Sequence, residues 1–174
     1  TPGPNTLLLS AWHCFEDYAA TQGPIRLFAQ HSPETPLPLR LIVSGGSMSA
    51  DWAILAPLTS TFVGAWISLS SHPTQRGTRV IAAGFAPTTD SSRSEEPGET
   101  PPSRGLMYDP DCVVITPTSQ PARSDCVAKK GASGGAILRH TASGSVRVLG
   151  VISAGDGTSV SYFHPTDGLI NRVR

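Results

Sequence analysis

The five residues from Gly131 to Gly135 have the composition that a nucleophilic serine needs. They read Gly-Ala-Ser-Gly-Gly, and the apolar run Ala-Ile-Leu follows them. Such a serine requires a sharply turning backbone beside it, so that nearby N–H groups can point at one developing oxyanion. Glycine permits this turn because it has no Cβ. A plain Gly/Ser hairpin has the same composition, so Ser133 is a candidate nucleophile only if a base lies within reach.

Two further residues could complete the chemistry of Ser133. His13 directly follows an apolar segment, and the end of a strand is a rigid place from which an imidazole can take the serine proton. Asp51 precedes the apolar residues 52–55, where its carboxylate could accept the His13 Nδ1–H and leave Nε2 free. Taken singly, a structural or surface histidine and a capping aspartate are the commoner roles. The chain order His, Asp, Ser favours a triad, because one large protease lineage uses it and subtilisins and α/β-hydrolases do not.

Short apolar segments separated by Gly, Pro and Ser clusters predict an all-β fold that positions these residues. The 17 Gly and 16 Pro are scattered, which suits many short strands better than long helices. No stretch keeps an apolar 3.6-residue period for three turns, so we expect only a helical turn after His13 and a short C-terminal helix. The predicted strands are residues 5–10, 25–30, 37–43, 52–58, 65–69, 78–85, 106–108, 112–116, 135–139, 146–152 and 159–163.

The composition excludes several classes of function. Lys plus Arg and Asp plus Glu number 13 each, so no net field attracts nucleic acid or an anionic membrane. No apolar run approaches the ~18 residues of a transmembrane helix. The remaining histidines share no metal-ligand spacing, so we expect surface positions for them and neither a metal nor another cofactor. They are His31, His72, His140 and His164.

Together, the three blocks resemble the chymotrypsin/trypsin-like serine protease family, and specifically its bacterial-type secreted members. Residues 10–14 are similar to the family's Thr-Ala-Ala-His-Cys block, residues 51–55 to its Asp-Ile-Ala-Leu-Leu block, and residues 131–135 to its Gly-Asp-Ser-Gly-Gly block. Residues 77–85 resemble the strand before the domain crossover. Residues 149–155 resemble the strand that binds the substrate backbone.

The resemblance implies two antiparallel six-stranded β-barrels with the active site in the cleft between them. Residues 1–86 would form the first barrel, with His13 and Asp51, and residues 105–174 the second, with Ser133. The polar, Pro-rich segment 87–104 would be an exposed connecting loop, since it holds too little apolar surface to offset its ordering entropy.

The family's roles carry over to matching positions. His13 would act as general base and then general acid, Asp51 would orient it, and Ser133 would form the acyl-enzyme. The N–H groups of Gly131 and Ser133 would form the oxyanion hole. We therefore expect a monomeric serine endopeptidase acting on protein or peptide substrates. The alternatives are a catalytically inactive, protease-derived binding module and an acyl hydrolase such as an esterase.

The resemblance also implies a substrate-binding surface. Ser153 would support the buried aspartate, while Ala154 and Gly155 would lie where the substrate backbone pairs with the enzyme as an extra strand. Val127 falls near the base of the side-chain pocket, where an Arg/Lys-specific enzyme would need an acid, so we expect a preference for small or aliphatic residues. Asp125 and Asp156 lie nearby in sequence and leave that preference open.

The sequence contains three cysteines, Cys14, Cys112 and Cys126. Bacterial-type relatives carry a similar cysteine pair, which implies a Cys112–Cys126 disulfide and a secreted or periplasmic location. Two unpaired thiols in a cytosolic protein are the alternative. Cys14 is left over, and its family equivalent pairs with a cysteine on a preceding strand. We therefore expect a first barrel that lacks its first strands, from a longer precursor cut or truncated ahead of Thr1. Those strands would be either lost or present as a separate N-terminal segment joined through Cys14.

Overall fold

Ten β-strands and one short 3₁₀ helix make up the regular structure of the described residues. The computed structural model describes residues 7–18, 23–29, 32–59, 66–87, 104–117, 121–167 and 169. The 3₁₀ helix is Trp12–Phe15, which confirms a helical turn around His13; the expected C-terminal helix lies outside the described residues. The strands are β1 (Leu8–Ser10), β2 (Ile25–Ala29), β3 (Ser32–Ser44), β4 (Ala53–Pro57), β5 (Arg79–Pro87), β6 (Arg104–Thr116), β7 (Ala122–Ser124), β8 (Ala136–His140), β9 (Val146–Gly155) and β10 (Ser161–Pro165).

The N-terminal half forms a four-stranded antiparallel sheet in the order β1-β4-β3-β2. Its inner strand β4 is buried on both faces. Ala53 and Leu55 enter the core of the sheet, while Ile54 packs with Trp52 and Leu169 on the other side. Because Leu169 lies near the end of the chain, this second cluster ties the sheet to the C-terminal half.

The C-terminal half is a closed six-stranded antiparallel barrel in the order β10-β7-β6-β5-β8-β9. Closure gives every strand two partners and leaves no free edge along the paired segments. Burial alternates along the strands with the period of two that a strand imposes. In β5 the inward positions are Val80, Ala82, Gly84 and Ala86.

The expected boundary between the two halves was wrong for β5. Residues 79–86, assigned to the first barrel, pair with β6 from Arg79↔Val113 to Pro87↔Arg104, and with β8 on the other side. The polar segment after Pro87 therefore joins two strands of one hairpin instead of two barrels. Composition predicts a loop there, but only backbone pairing decides which elements it connects. Residues 88–103 lie outside the described residues.

The predicted strand at residues 65–69 is also absent from the described part of that segment, which instead runs along the closed barrel. Leu69 forms a single parallel bridge with Val148. Ser70 N donates to Val148 O at 2.7 Å, and Val148 N donates to Ser68 O at 3.0 Å. With β5 in the barrel and this segment a connection, the N-terminal half retains four strands in the described part of the chain.

The predicted disulfide between Cys112 and Cys126 is confirmed, with a Cα–Cα distance of 5.0 Å. Cys112 lies in β6, which merges the predicted strands 106–108 and 112–116 into one. Cys126 begins the segment that leads from β7 to Ser133. The crosslink therefore anchors the approach to the serine directly to the wall of the barrel.

Candidate functional site

His13 and Asp51 are joined by two hydrogen bonds at the edge of the N-terminal sheet. His13 is in the 3₁₀ helix that follows β1, and Asp51 lies in the turn that leads into β4. The His13 backbone N donates to Asp51 Oδ1 at 2.8 Å, and its Nδ1 lies 2.7 Å from Oδ2. Holding both the backbone and the ring fixes the imidazole orientation and selects the tautomer with hydrogen on Nδ1.

A third donor reaches the Asp51 carboxylate from the closed barrel. Ser153 Oγ on β9 donates to Asp51 Oδ2 at 2.5 Å, across 102 positions of the sequence. Asp51 is 0% exposed, and a buried carboxylate without partners would carry a large desolvation cost. The three donors offset that cost and connect the two halves of the molecule at this one side chain.

The Ser133 loop has the turn geometry that its glycines predict. Ala132 N donates to Lys129 O at 3.0 Å, and Gly131 adopts φ +94°. A bond of this kind with a positive φ only at the third residue defines a type II turn, which favours glycine there. Gly135 cannot carry a side chain, because a Cβ would lie 2.4 Å from Ala83 O.

Two backbone donors of this loop remain available. Within the described residues, the N–H groups of Gly131 and Ser133 make no hydrogen bond, whereas Gly134 N and Gly135 N are bonded to Ile152 O and Ala132 O. Both free groups belong to residues that line the cleft beside His13. Unpaired donors next to a serine are what an oxyanion site requires.

Ser133 and His13 line the same cleft, but the serine hydroxyl is turned toward β9. Ser133 Oγ donates to Ser153 O at 3.2 Å. Within the described residues no hydrogen bond joins the Ser133 hydroxyl to the His13 ring. The structure thus places His13 and Ser133 in one cleft and hydrogen-bonds His13 to Asp51.

The cleft has a volume of about 490 Å³ and is bordered by both halves of the molecule. The sheet side contributes Glu16 and Met48, which sequence reasoning missed because neither stands in a recognisable motif. The barrel side contributes two lysines that flank the serine loop. The full lining is His13, Glu16, Met48, Lys129, Lys130, Gly131, Ser133, Ile152, Ser153, Ala154 and Gly155.

Gly155, which lines the cleft, lies in close contact with Ala128. A Cβ built on Gly155 would lie 2.3 Å from Ala128 O and 2.9 Å from Ala128 Cβ. Ser153, Ala154 and Gly155 line the cleft, whereas Val127 does not. The Val127 N–H instead donates to Asp109 Oδ2 at 2.9 Å.

Both candidate pocket acids accept backbone N–H groups, and neither lines the cleft. Asp125 Oδ1 accepts from Val113 N at 2.6 Å. Asp156 Oδ1 accepts the N–H groups of Ser159, Val160 and Thr158, which hold the pKa of Asp156 well below its usual range. Both aspartates serve local turns and strands.

The expectation for the other histidines was partly wrong. His72 and His140 are exposed as predicted, and His31 lies outside the described residues. His164 is buried, with 4% exposure, on the face of β10 opposite Phe163, which points into the barrel core. Cys14 is an exposed free thiol, and its pKa is raised by partial burial and by the nearby Asp51 charge.

The described residues contain no group of three or more His, Cys, Asp or Glu side chains that could hold a metal ion. Among the same residues, no helix has the length and apolar character needed to cross a membrane.

Solved structures show which fold this is. Neither a protein-family model nor a curated protein sequence matches the chain. The inactive form of the Rv3671c protease of M. tuberculosis H37Rv superposes with a TM-score of 0.60 at 15% identity, over 97% of this chain and 78% of that one. A serine-to-alanine mutant of the same protein gives 0.56 at 14% identity, covering 96% and 74%. Deg5 gives 0.58 at 16%, covering 95% and 75%. At these identities the likeness shows a trypsin-like protease fold.

Proposed function

We propose that this chain is a serine endopeptidase that cleaves protein or peptide substrates through an acyl-enzyme on Ser133. The observation that carries the proposal is the hydrogen-bonded network of His13, Asp51 and Ser153, set in one cleft with Ser133 and two unpaired backbone N–H groups. The fold of the neighbouring structures supports it.

Acylation would begin when Ser133 Oγ attacks the scissile carbonyl and His13 Nε2 takes its proton. Asp51 would stabilise the resulting imidazolium through Nδ1. The N–H groups of Gly131 and Ser133 would receive the oxyanion, where one donor is typically worth ~10²–10³ in rate. His13 would then protonate the leaving amine. Attack by a water on the acyl-enzyme, with the same base, would return the enzyme and release the acid.

An extended peptide fits the cleft because part of β9 has an open edge. β8 pairs with β9 as far as Val151, and the residues before β8 bond Ile152. Ser153, Ala154 and Gly155 therefore present one edge to the cleft, while β10 pairs with their other edge at Ala154 and Gly155. A substrate strand added here would use main-chain hydrogen bonds that do not depend on its sequence.

The contact between Gly155 and Ala128 supports a preference for small side chains next to the cleaved bond. A long or branched side chain would have to separate these walls, whereas Gly, Ala or Ser needs little space. A peptide library in which Arg or Lys outperforms Ala at this position would overturn the preference.

A binding module without turnover is the second candidate. The specific observation in its favour is the Ser133 hydroxyl, which donates to Ser153 O. In such a module the open edge of β9 would hold a peptide that is never cut.

Labelling with a fluorophosphonate separates these candidates. We expect the wild-type chain to be labelled and Ser133→Ala to resist, with peptide cleavage reduced about 10⁴-fold or more. Ser143→Ala, an exposed turn serine, is the matched control and should behave as wild type. A folded wild-type chain that resists labelling supports the binding module. Cleavage of a simple ester without cleavage of casein would indicate an esterase.

The disulfide supports an oxidising location, outside the cell or in the periplasm, because such bonds persist there. Alkylation of the native protein before reduction should modify Cys14 alone. Modification of Cys112 and Cys126 in freshly isolated protein would contradict this location.

A further inference from the structure

Lys129 and Lys130 are the only two lysines in the sequence, and both line the cleft. They are the first two residues of the turn that ends at Ala132, whose N–H donates to Lys129 O at 3.0 Å. Gly131, the third residue of that turn, carries one of the two unpaired N–H groups. The two ammonium groups therefore belong to the same short loop as a donor that would receive the oxyanion.

Both lysines are exposed, and neither ammonium group has a hydrogen-bond or ion-pair partner among the described residues. The ion pairs in that part of the chain are His13–Asp51 and Arg79–Asp111. Neither lysine pairs with Glu16, the exposed carboxylate on the sheet side of the cleft. The barrel side of the cleft therefore presents two unpaired positive charges, although the formal net charge of the whole chain is zero.

A substrate strand on the open edge of β9 would pass these charges. Gly155, on that edge, lies in close contact with Ala128, the residue before Lys129. Two positions after Lys129, the Gly131 N–H would hold the carbonyl oxygen of the cleaved bond. The lysines stand between these two points of the chain, so the substrate residues nearest the cleaved bond would lie within reach of their ammonium groups.

We propose that Lys129 and Lys130 select peptides that carry an acidic side chain within two residues of the cleaved bond. The inference rests on the proposed function, because it names the substrate class of the same cleft. A lysine ammonium is a compact charge on a flexible stem and imposes little geometry on its partner. Aspartate and glutamate are therefore both accommodated, next to a small residue at the cleaved bond itself.

The selectivity is modest, because both ammonium groups are exposed to water. An exposed ion pair is expected to change kcat/KM about two- to fivefold, so the two lysines together should give about tenfold. Salt screens such pairs, and near 1 M salt the Debye length is only about 3 Å. The preference for an acidic side chain should therefore almost disappear at that ionic strength.

Peptides that differ only by Glu or Gln, at each of the two positions on either side of the bond, test this selection. At one or more positions, we expect the Glu peptide to exceed its Gln partner about tenfold in kcat/KM. The combined change Lys129→Gln and Lys130→Gln should bring the two peptides to equal rates. Arg76→Gln, which removes an exposed charge outside the cleft lining, should keep the preference. Equal rates in the wild type, or an equal loss on both peptides in the double variant, would overturn the proposal.

Chemical modification makes the same test without a variant, because the chain has no other lysine. Acetylation removes the charge of an ammonium group, whereas methylation keeps it. We expect acetylation to abolish the preference for Glu and reductive methylation to retain it. The amino terminus also reacts, so acetylation of the double variant is the control and should leave its kcat/KM unchanged. A preference that survives complete acetylation of both lysines would contradict the proposal.

Peptide binding to Ser133→Ala separates this inference from the proposed function. The variant keeps both lysines but lacks the nucleophile, so fluorescence anisotropy measures selection without cleavage. We expect the Glu peptide to bind about tenfold more tightly than its Gln partner. Tighter binding of the Glu peptide, with a wild type that cleaves neither, would sustain the inference while sinking the proposed function. Cleavage of both peptides at equal rates would do the reverse.

Discussion

The closed barrel and the four-stranded sheet support the same cleft in different ways. The barrel encloses one continuous cluster of twelve buried residues and gives each of its strands two partners. The sheet has two smaller clusters of three buried residues each, on opposite faces of β4. In the described residues, its outer strands β1 and β2 each pair with a single strand.

The two halves accordingly contribute different parts of the candidate site. The barrel holds Ser133, its unpaired N–H groups and the open edge of β9, which must keep their geometry within a fraction of an ångström. The sheet holds His13 and Asp51, which depend on contacts from the barrel for their placement. The Ser153 hydroxyl bonds Asp51, and a Cβ on Gly134 would lie 2.4 Å from Ser10 Oγ. The barrel therefore fixes the positions of the residues on both sides of the cleft.

Phe163→Ala, in the core of the barrel, should cause the largest loss of stability. Phe163 is fully buried in the barrel cluster, and its truncation is expected to lower the free energy of unfolding by about 3–5 kcal/mol. Phe28→Ala is the matched change in the sheet. Phe28 is 60% exposed on β2, so we expect an effect within about 0.5 kcal/mol. Urea unfolding of both variants measures the contrast, and equal losses would contradict it.

Removal of the disulfide should lower the free energy of unfolding somewhat less than Phe163→Ala. A chain with Cys112→Ser and Cys126→Ser loses the constraint on a loop closed across 14 positions, which is expected to cost about 3 kcal/mol. Cys14→Ser, at the exposed free thiol, should change stability by less than about 0.5 kcal/mol. Thermal unfolding without reductant compares them. A stable double variant would show that the serine loop is anchored by packing alone.

Ala128→Gly should have the smallest effect of these substitutions, and it tests whether the barrel alone sets the side-chain preference at the cleft. It removes the methyl group that faces Gly155, so the ratio of kcat/KM for Val over Ala at the cleaved position should rise about tenfold. Met48→Ala changes the cleft from the sheet side and should leave that ratio unaltered. Equal shifts in both variants would mean that the sheet also sets the preference.

Much of the site was predictable because its signals are local. The glycines around Ser133 prescribe a turn, and the apolar segments beside His13 and Asp51 prescribe strand ends. The strand pattern was sufficient for the all-β class, and the family resemblance for the Cys112–Cys126 pairing. Each of these depends on a few adjacent residues or on a motif.

The remaining features depend on which distant segments pair. Membership of β5 in the barrel requires its bonds to β6 and β8, and nothing within residues 79–87 specifies those partners. His164 looks like a surface histidine beside Pro165, and only the assembled molecule buries it, on the face of β10 opposite the core residue Phe163. The approach of Gly155 to Ala128 likewise arises from the assembled barrel.

The β5–β6 hairpin makes this chain a candidate for fragment complementation. A break between Pro87 and Arg104 would leave His13 and Asp51 on one piece and Ser133 on the other, so under the proposed function neither piece would turn over substrate alone. The first piece would also carry β5, and the second would have a gap between β6 and β8 where β5 belongs. Reassociation would then require insertion of β5 between β6 and β8. If two partner proteins were fused to the two pieces, recovered peptide cleavage would report that the partners had bound each other.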